Sequence, residues 1–344
     1  MPQPPLDLNK YTSTPLPHLR EQYPPGTGGT GPRAEFSGDL KGVQTIDNFD
    51  DQVTKYIKTL PSEPITPHPH YKYPKIIAAL NTVPNPLKAP TDLQKALSSL
   101  PLLATSTILT ALDSDPEDFK FVTDAQALDR AGYESDGGVD GSGETKPLKP
   151  DYKTKPWTFK FNKSPLGSGE FLLTKGGSDE VKLVVRTINS SAFTAADWKE
   201  YIVNGPYKYN TKSKASWYWS RAYNATKRLN CQYYVLTDWQ RWTFGYFNKD
   251  KTHGWTSPIL EYDSETPSVL QALLFWSRTA IGSENTTSPT EKDVSSLPEL
   301  FPANPARRIS SSGGNNPHHH DRDQSKPRKA NESDIEESDA EDAA

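Results

Sequence analysis

The chain has 344 residues, of which 33% are apolar, with 31 prolines and a formal net charge of −4 at pH 7. That apolar share lies below the roughly 45–50% of ordinary globular chains, so part of the sequence is expected to stand outside any packed core. The single cysteine, Cys231, excludes an intramolecular disulfide framework and a cysteine-based zinc site, and no apolar run is expected to reach the roughly 18 residues of a bilayer span.

The N-terminal "MPQPPLDLNKY" lacks a basic then apolar leader pattern, so an intracellular location, cytoplasmic or nuclear, is expected, with no membrane partner. Residues 1–42 read as a Pro/Gly-rich arm without sustained periodicity, expected to be disordered. Within it, "PPGTGGTGPR" begins like a phosphate-binding loop. Pro32 and Arg33 then stand where the lysine and the Ser/Thr would be, which removes the phosphate-binding amine and the metal-binding hydroxyl. A turn-rich linker is the reading that remains.

Residues 43–132 carry helical periodicity in short pieces. "FDDQVTKYIKTL" places Phe49, Val53, Tyr56, Ile57 and Leu60 on one face, and "TDLQKALSSLPLLATSTILTAL" repeats the pattern across Pro101. Such pieces form either a small helical domain or an N-terminal cap on the next domain. Residues 133–156 read as a linker by composition.

Residues 157–282 give a coherent α+β series containing all eight tryptophans. "WTFKF" alternates as a strand, and "EFLLTK" and "EVKLVVRTI" flank the turn "GGSD" as a hairpin. "TAADWKEYIV" and "ASWYWSRAYNATKRLN" come next as helices. "YYVLT" and "WTFGYF" are strands around Asp238–Arg241, a stretch that is expected only to turn the chain. A further strand is expected around "SPIL". "TPSVLQALLFWSRTAI" closes as a helix, with Thr266 as N-cap and Pro267 at its first position. One mixed central sheet flanked by helices is the predicted fold.

Residues 283–344 are low in apolar residues and segregated in charge, so a disordered tail is expected. Ser310 follows two arginines, while Ser333 and Ser338 precede acids, which makes all three candidate sites for kinases. His318–His320 read as a solvated tract rather than a metal site.

This order of elements, and "AYNATKRLNCQYYVLTDWQRWTF" in particular, resembles the restriction-endonuclease-like fold of the PD-(D/E)XK nuclease superfamily over about residues 157–281. The layout of "YYVLTDWQRWTFGYF" and "PSVLQALLFWSRTA" also resembles a group of uncharacterised fungal proteins, from which no activity transfers. The nuclease resemblance implies an acid near the start of one hairpin strand and an acid-x-Lys on its partner. Together these hold magnesium and orient a water. Glu170 stands at the first position.

The literal Glu-x-Lys, Glu180 to Lys182, does not complete the set. Folding the hairpin about residues 176–178 pairs Glu170 with residues 184–186, which leaves Glu180 over ~13 Å away at about 3.3 Å per residue. The matching position instead holds Arg186, Thr187 and Ile188. Metal-dependent cleavage is therefore not expected, and magnesium enters only if a slipped or bulged hairpin rescues Glu180 and Lys182. No other cofactor or metal is implied.

His253 reads as a loop histidine, Cys231 as a buried core thiol, and Asp197 with Glu200 as a solvated acidic face. Residues 151–282 hold 18 Lys plus Arg against 11 Asp plus Glu, a net of +7 in a chain of −4. Lys208, Lys212, Lys214 and Arg221, interleaved with Tyr207, Tyr209, Trp217 and Tyr218, form the densest candidate nucleic-acid patch. The alternative is that these aromatics are core and the lysines ordinary surface. The expected function is thus a non-catalytic nuclease-like module binding nucleic acid or protein. The alternatives are a protein-interaction scaffold that binds no nucleic acid, or a residual metal-dependent nuclease.

Overall fold

A computed structural model of the chain describes residues 4–23, 36, 38–68, 72–115, 153–163, 169–286, 288–290 and 292–301. The described residues all belong to one compact unit, and residues 305–344 lie outside them. In chain order this unit runs α1 (Leu8–Thr12), β1 (Gly42–Thr45), α2 (Phe49–Ile57), α3 (Ile76–Leu80), α4 (Pro90–Ser99) and α5 (Pro101–Leu112). It continues through β2 (Trp157–Asn162), β3 (Glu170–Lys175), β4 (Leu183–Thr187), α6 (Ala195–Tyr201), β5 (Gly205–Pro206) and α7 (Lys214–Arg228). The last elements are β6 (Tyr233–Thr237), β7 (Arg241–Phe247), β8 (His253–Thr256), β9 (Leu260–Glu261) and α8 (Val269–Ala280).

These strands make one mixed sheet in the order β2-β3-β4-β6-β7-β8-β1-β5, with β9 added beside β7. β2, β3 and β4 are an antiparallel meander. β6 then returns parallel to β4 after the α6–α7 crossover, as parallel pairing requires a long connection. The fold is α+β, a mixed central sheet with helices on both faces.

Strand alternation decides what each face carries. Odd-numbered residues such as Phe171, Leu173, Leu183, Val185, Tyr233 and Val235 enter one core, together with α2, α4, α5 and α8. Even-numbered residues of the same strands, Val184, Tyr234 and Leu236, enter the other core with α6 and α7. In β7, Gly245 is required by close approach: a Cβ there would stand 1.9 Å from the ring of Tyr234, its register partner. The tryptophans lock both layers, and six of them are almost completely buried. Trp276 Nε1 of α8, for example, lies 3.2 Å from both Tyr234 O and Gly245 O, tying the last helix to the central strand pair.

Packing decides one open question and corrects other expectations. Of the two arrangements left open for the helical region, the described helices take that of a cap on 157–282: Phe49, Val53, Leu97 and Ile108 share one core with Phe244 and Trp276. Phe49 stacks on Phe244 at 5.4 Å, and β1 enters the sheet parallel to β8. Residues 4–23, expected in a disordered arm, bury Leu6, Leu8, Leu16 and Leu19 in that core. Leucines scattered among prolines give no period, yet each is buried along a strap that contains the short helix α1. The tail does not begin at 283 either: Val294 and Phe301 are buried, Ser288 Oγ pairs with Tyr233 Oη at 2.7 Å, and Gln44 Nε2 donates to Lys292 O at 2.8 Å.

His253 opens β8 instead of lying in a loop, and of "SPIL" only Leu260 is in a strand. The last helix is capped by Ser268, whose Oγ accepts from Gln271 N at 3.1 Å while Gln271 Oε1 accepts from Ser268 N. This reciprocal cap displaces Thr266 and Pro267 from the roles expected of them. Against the expectation of no spanning stretch, Pro90–Leu112 is long and apolar enough to cross a membrane by length and composition. In the fold it is α4 and α5, and Leu93, Leu97, Leu102 and Leu109 are buried in the protein's own core.

Candidate functional site

Register brings three polar side chains into one row across the meander. Asn162 of β2 pairs with Glu170 of β3, and Glu170 pairs with Arg186 of β4. All three are even positions, so they share the face covered by α7. That helix contributes Tyr218, Arg221 and Arg228, spaced by three and seven residues and hence on one side of it.

The carboxylate of Glu170 is completely buried and fully engaged. Arg186 Nη1 donates to Oε2 at 2.8 Å, Asn162 Nδ2 donates to Oε1 at 2.9 Å, and Arg228 Nη2 also donates to Oε1. The Arg186 side chain is 7% exposed and that of Arg228 46%. Arg221, also buried, sits with its guanidinium 5.3 Å from the Tyr218 ring centre. Burial pushes the Arg186 pKa down; Glu170 opposes that shift, while Arg221 and Arg228 add to it as like charges. Burial likewise raises the Tyr218 hydroxyl, against the pull of Arg221 and Arg186.

This donor set does not fit a magnesium ion. Both oxygens of the one acid are held by cationic or amide donors, and an arginine occupies the position from which a second acid would reach in. Magnesium requires several oxygen ligands converging at about 2.0–2.1 Å. Among the described residues no group of three His, Cys, Asp or Glu side chains is arranged to hold a metal.

The remaining hairpin candidates lie elsewhere. Glu180 and Lys182 form an ion pair with each other at the turn end, with Glu180's side chain 65% exposed. Lys182 N donates to Leu173 O at 2.9 Å, three residues along β3 from Glu170. The structure brings neither to the carboxylate that they were candidates to complete.

The residues of the expected basic patch stand in different surroundings. Arg221 is buried in the arginine cluster around Glu170, Lys208 pairs with Glu299 at 3.2 Å, and Lys214 pairs with Asp197 at 3.5 Å. Lys212 is exposed. Tyr207 and Tyr218 are core residues. Asp197 also caps α6 through Thr194, and Glu200 accepts from Ser213 Oγ at 2.8 Å, so the two acids on α6 bind local donors. Cys231 is buried and its thiol is pushed up to about 12 by burial. Ser310, Ser333, Ser338, His318–His320 and the glycine-rich stretch 24–33 lie outside the described residues.

Sequence reasoning missed two things. One is Arg228, whose place at a helix C-terminus suggests only a cation for the helix dipole, although its seven-residue spacing from Arg221 is a usable sign. The other is the corner at Asp238, which does more than turn the chain. Asp238 is wholly buried, with Trp198 Nε1 donating to Oδ2 at 2.9 Å and Arg241 N to Oδ1 at 2.6 Å. Trp239 Nε1 and Gln240 Nε2 hold the N-terminal strap through Pro17 O and Leu19 O, at 3.0 and 2.7 Å. Glu21, from that strap, has a carboxyl raised to about 8 by burial and by Asp238, with Arg241 opposing. No protein-family model, no curated protein sequence and no solved structure matches this chain.

Proposed function

We propose that residues 157–282 are a restriction-endonuclease-like domain that binds nucleic acid without cleaving it. The observation that carries this reading is the capture of Glu170 by Arg186 and Arg228, which leaves the one acid at the nuclease position without an oxygen for a metal. The order of elements supports the fold assignment: a hairpin bearing the acid, a helical crossover, and a second hairpin on the same mixed sheet. The net charge of +7 over residues 151–282 supports an anionic partner. A protein-interaction role is the second reading, favoured by the pairing of Lys208 and Lys214 with acids of the same chain.

The test uses the full chain with labelled single- and double-stranded DNA and RNA, with magnesium or manganese present, at about 20 and about 200 mM salt. Intact nucleic acid together with affinity that falls steeply with salt is the expected result. Absence of binding at low salt favours the protein-interaction role. Metal-dependent cleavage that disappears in Glu170→Ala restores the nuclease.

A further inference from the structure

Among the described residues β2 pairs with β3 alone, which leaves its other side open. Gly176 N donates to Pro156 O at 2.7 Å, so 156 and 176 sit at a hydrogen-bonded position of the antiparallel ladder. Alternation then turns the backbone groups of 158, 160 and 162 toward β3 and those of Trp157, Phe159 and Phe161 outward. Thr110 Oγ1 of α5 accepts from Trp157 N at 3.0 Å. Phe159 and Phe161 have no such partner among the described residues, so their N–H and C=O groups are free to pair with a further strand. Beside this edge, α5 and β2 border a cavity of about 180 Å³ lined by Leu102, Leu103, Thr107, Trp157 and Phe159, roughly the room for one benzene-sized group. Leu103 and Phe161 are also among the few exposed large hydrophobic side chains of the described residues, so bare apolar surface and unpaired backbone coincide here.

Charge decides what fits. Lys160 is on the face of β2 opposite to Phe159 and Phe161, and Lys155 and Lys163 stand just beyond the two ends of the strand. All three are exposed and have no acid partner among the described residues. The nearby carboxylate of Asp113 is taken by Trp157 Nε1 and Arg278 Nη1, at 2.7 and 2.8 Å. A second copy meeting this edge would set its own lysines against these, and lysines on an edge strand block such self-pairing. An acidic strand is what the same charges admit. We infer that β2 is a docking edge for an extended segment of another protein in which apolar residues alternate with acidic ones. Its backbone pairs with Phe159 and Phe161, one apolar side chain enters the cavity beside Leu103, and the acids on its other face meet Lys160. The inference goes beyond the nucleic-acid reading and does not depend on it.

The experiment measures binding of the full chain to a fluorescent synthetic peptide of alternating valine and glutamate. A peptide of the same charge with serine in place of valine is expected to bind roughly tenfold more weakly. Methylating every second peptide amide is expected to abolish binding in one frame and to leave it in the other, because one set of amides faces β2. Phe161→Pro removes an outward N–H without touching the ladder to β3, and is expected to weaken binding by roughly five- to tenfold. Leu103→Asp is expected to do the same, Lys160→Glu to weaken binding by an amount that shrinks in high salt, and Lys182→Gln to change nothing. Melting temperatures are read first, and if Phe161→Pro does not fold, Leu103→Asp, at an exposed position, decides. Absence of peptide binding by wild type, equal binding of the serine peptide, indifference to both methylation frames, or wild-type affinity in Leu103→Asp overturns the inference. A wild-type dimer that Leu103→Asp dissociates assigns the edge to a second copy and overturns it too, as does single-stranded DNA binding that Leu103→Asp weakens, which assigns the edge to nucleic acid.

Discussion

Glu170 and Asp238 are both wholly buried carboxylates beneath the same helical layer, but their surroundings are opposite. At Glu170 two guanidinium groups donate directly to the carboxylate. At Asp238 a second acid, Glu21, lies close enough to repel it, and Arg241, a quarter exposed, is the one cation paired with it among the described residues. Asp238 is accordingly held above its ordinary pKa, chiefly by burial, against the Arg241 amide, the Trp198 indole and the Arg241 charge. Burial alone therefore does not fix how a carboxylate is accommodated. At Glu170 two guanidinium groups do so directly, and at Asp238 dipoles, the partly exposed Arg241 and a proton on Glu21.

The contrast breaks most sharply at Arg186. Arg186→Met leaves Glu170 buried with only the half-exposed Arg228 and the Asn162 amide, and removing one partner of a buried pair costs about 3–5 kcal/mol. Urea denaturation should show a loss of that size. The double variant Arg186→Met/Glu170→Leu removes both charges and is expected to recover most of it. A double variant as unstable as the single one would mean that packing, not charge, dominates at this site.

At Asp238 the effect is one of pH. Glu21 has a folded pKa of about 8 against an ordinary 4.5, so the folded state keeps a proton that the unfolded chain releases. Its stabilising contribution is complete below about pH 4.5, declines as pH rises, and is gone above about 8. The groups facing it are Asp238, Arg241 and Tyr23. Glu21→Gln does not titrate, so its unfolding free energy relative to wild type should climb between about pH 5 and about pH 8 and then level. A difference that stays flat over that range would remove the proton from this corner.

How these sites were legible differs for the same reason. The hairpin register at Glu170 follows from a turn at Gly176–Ser178 and a period of two, both local properties, and the observed pairing with Arg186 lies in that register. Helix faces such as that of α2 are equally local. The strap at 4–23 and the corner at Asp238 depend on contacts such as Gln240 to Leu19, 221 residues apart, which no window contains. Gly254 makes the segment at His253 look like a loop in the sequence. The glycine is instead required in β8, where a Cβ would meet the rings of Phe247 and Trp219 at 2.8 Å. Ser268 was recoverable, since Gln271 three residues on completes a capping box that Thr266 lacks.

The smallest expected effect sharpens the contrast from outside. Glu180 and Lys182 have the residue types of a catalytic doublet but bind each other across two residues at an exposed strand end. Solvent screens such a pair and holding two long side chains costs entropy, so their coupling in a double-mutant cycle should be under ~1 kcal/mol and shrink in high salt. A coupling as large as that of Arg186 with Glu170 would mean that the turn end of the hairpin is as shielded from solvent as Glu170, and the contrast between the two would fail.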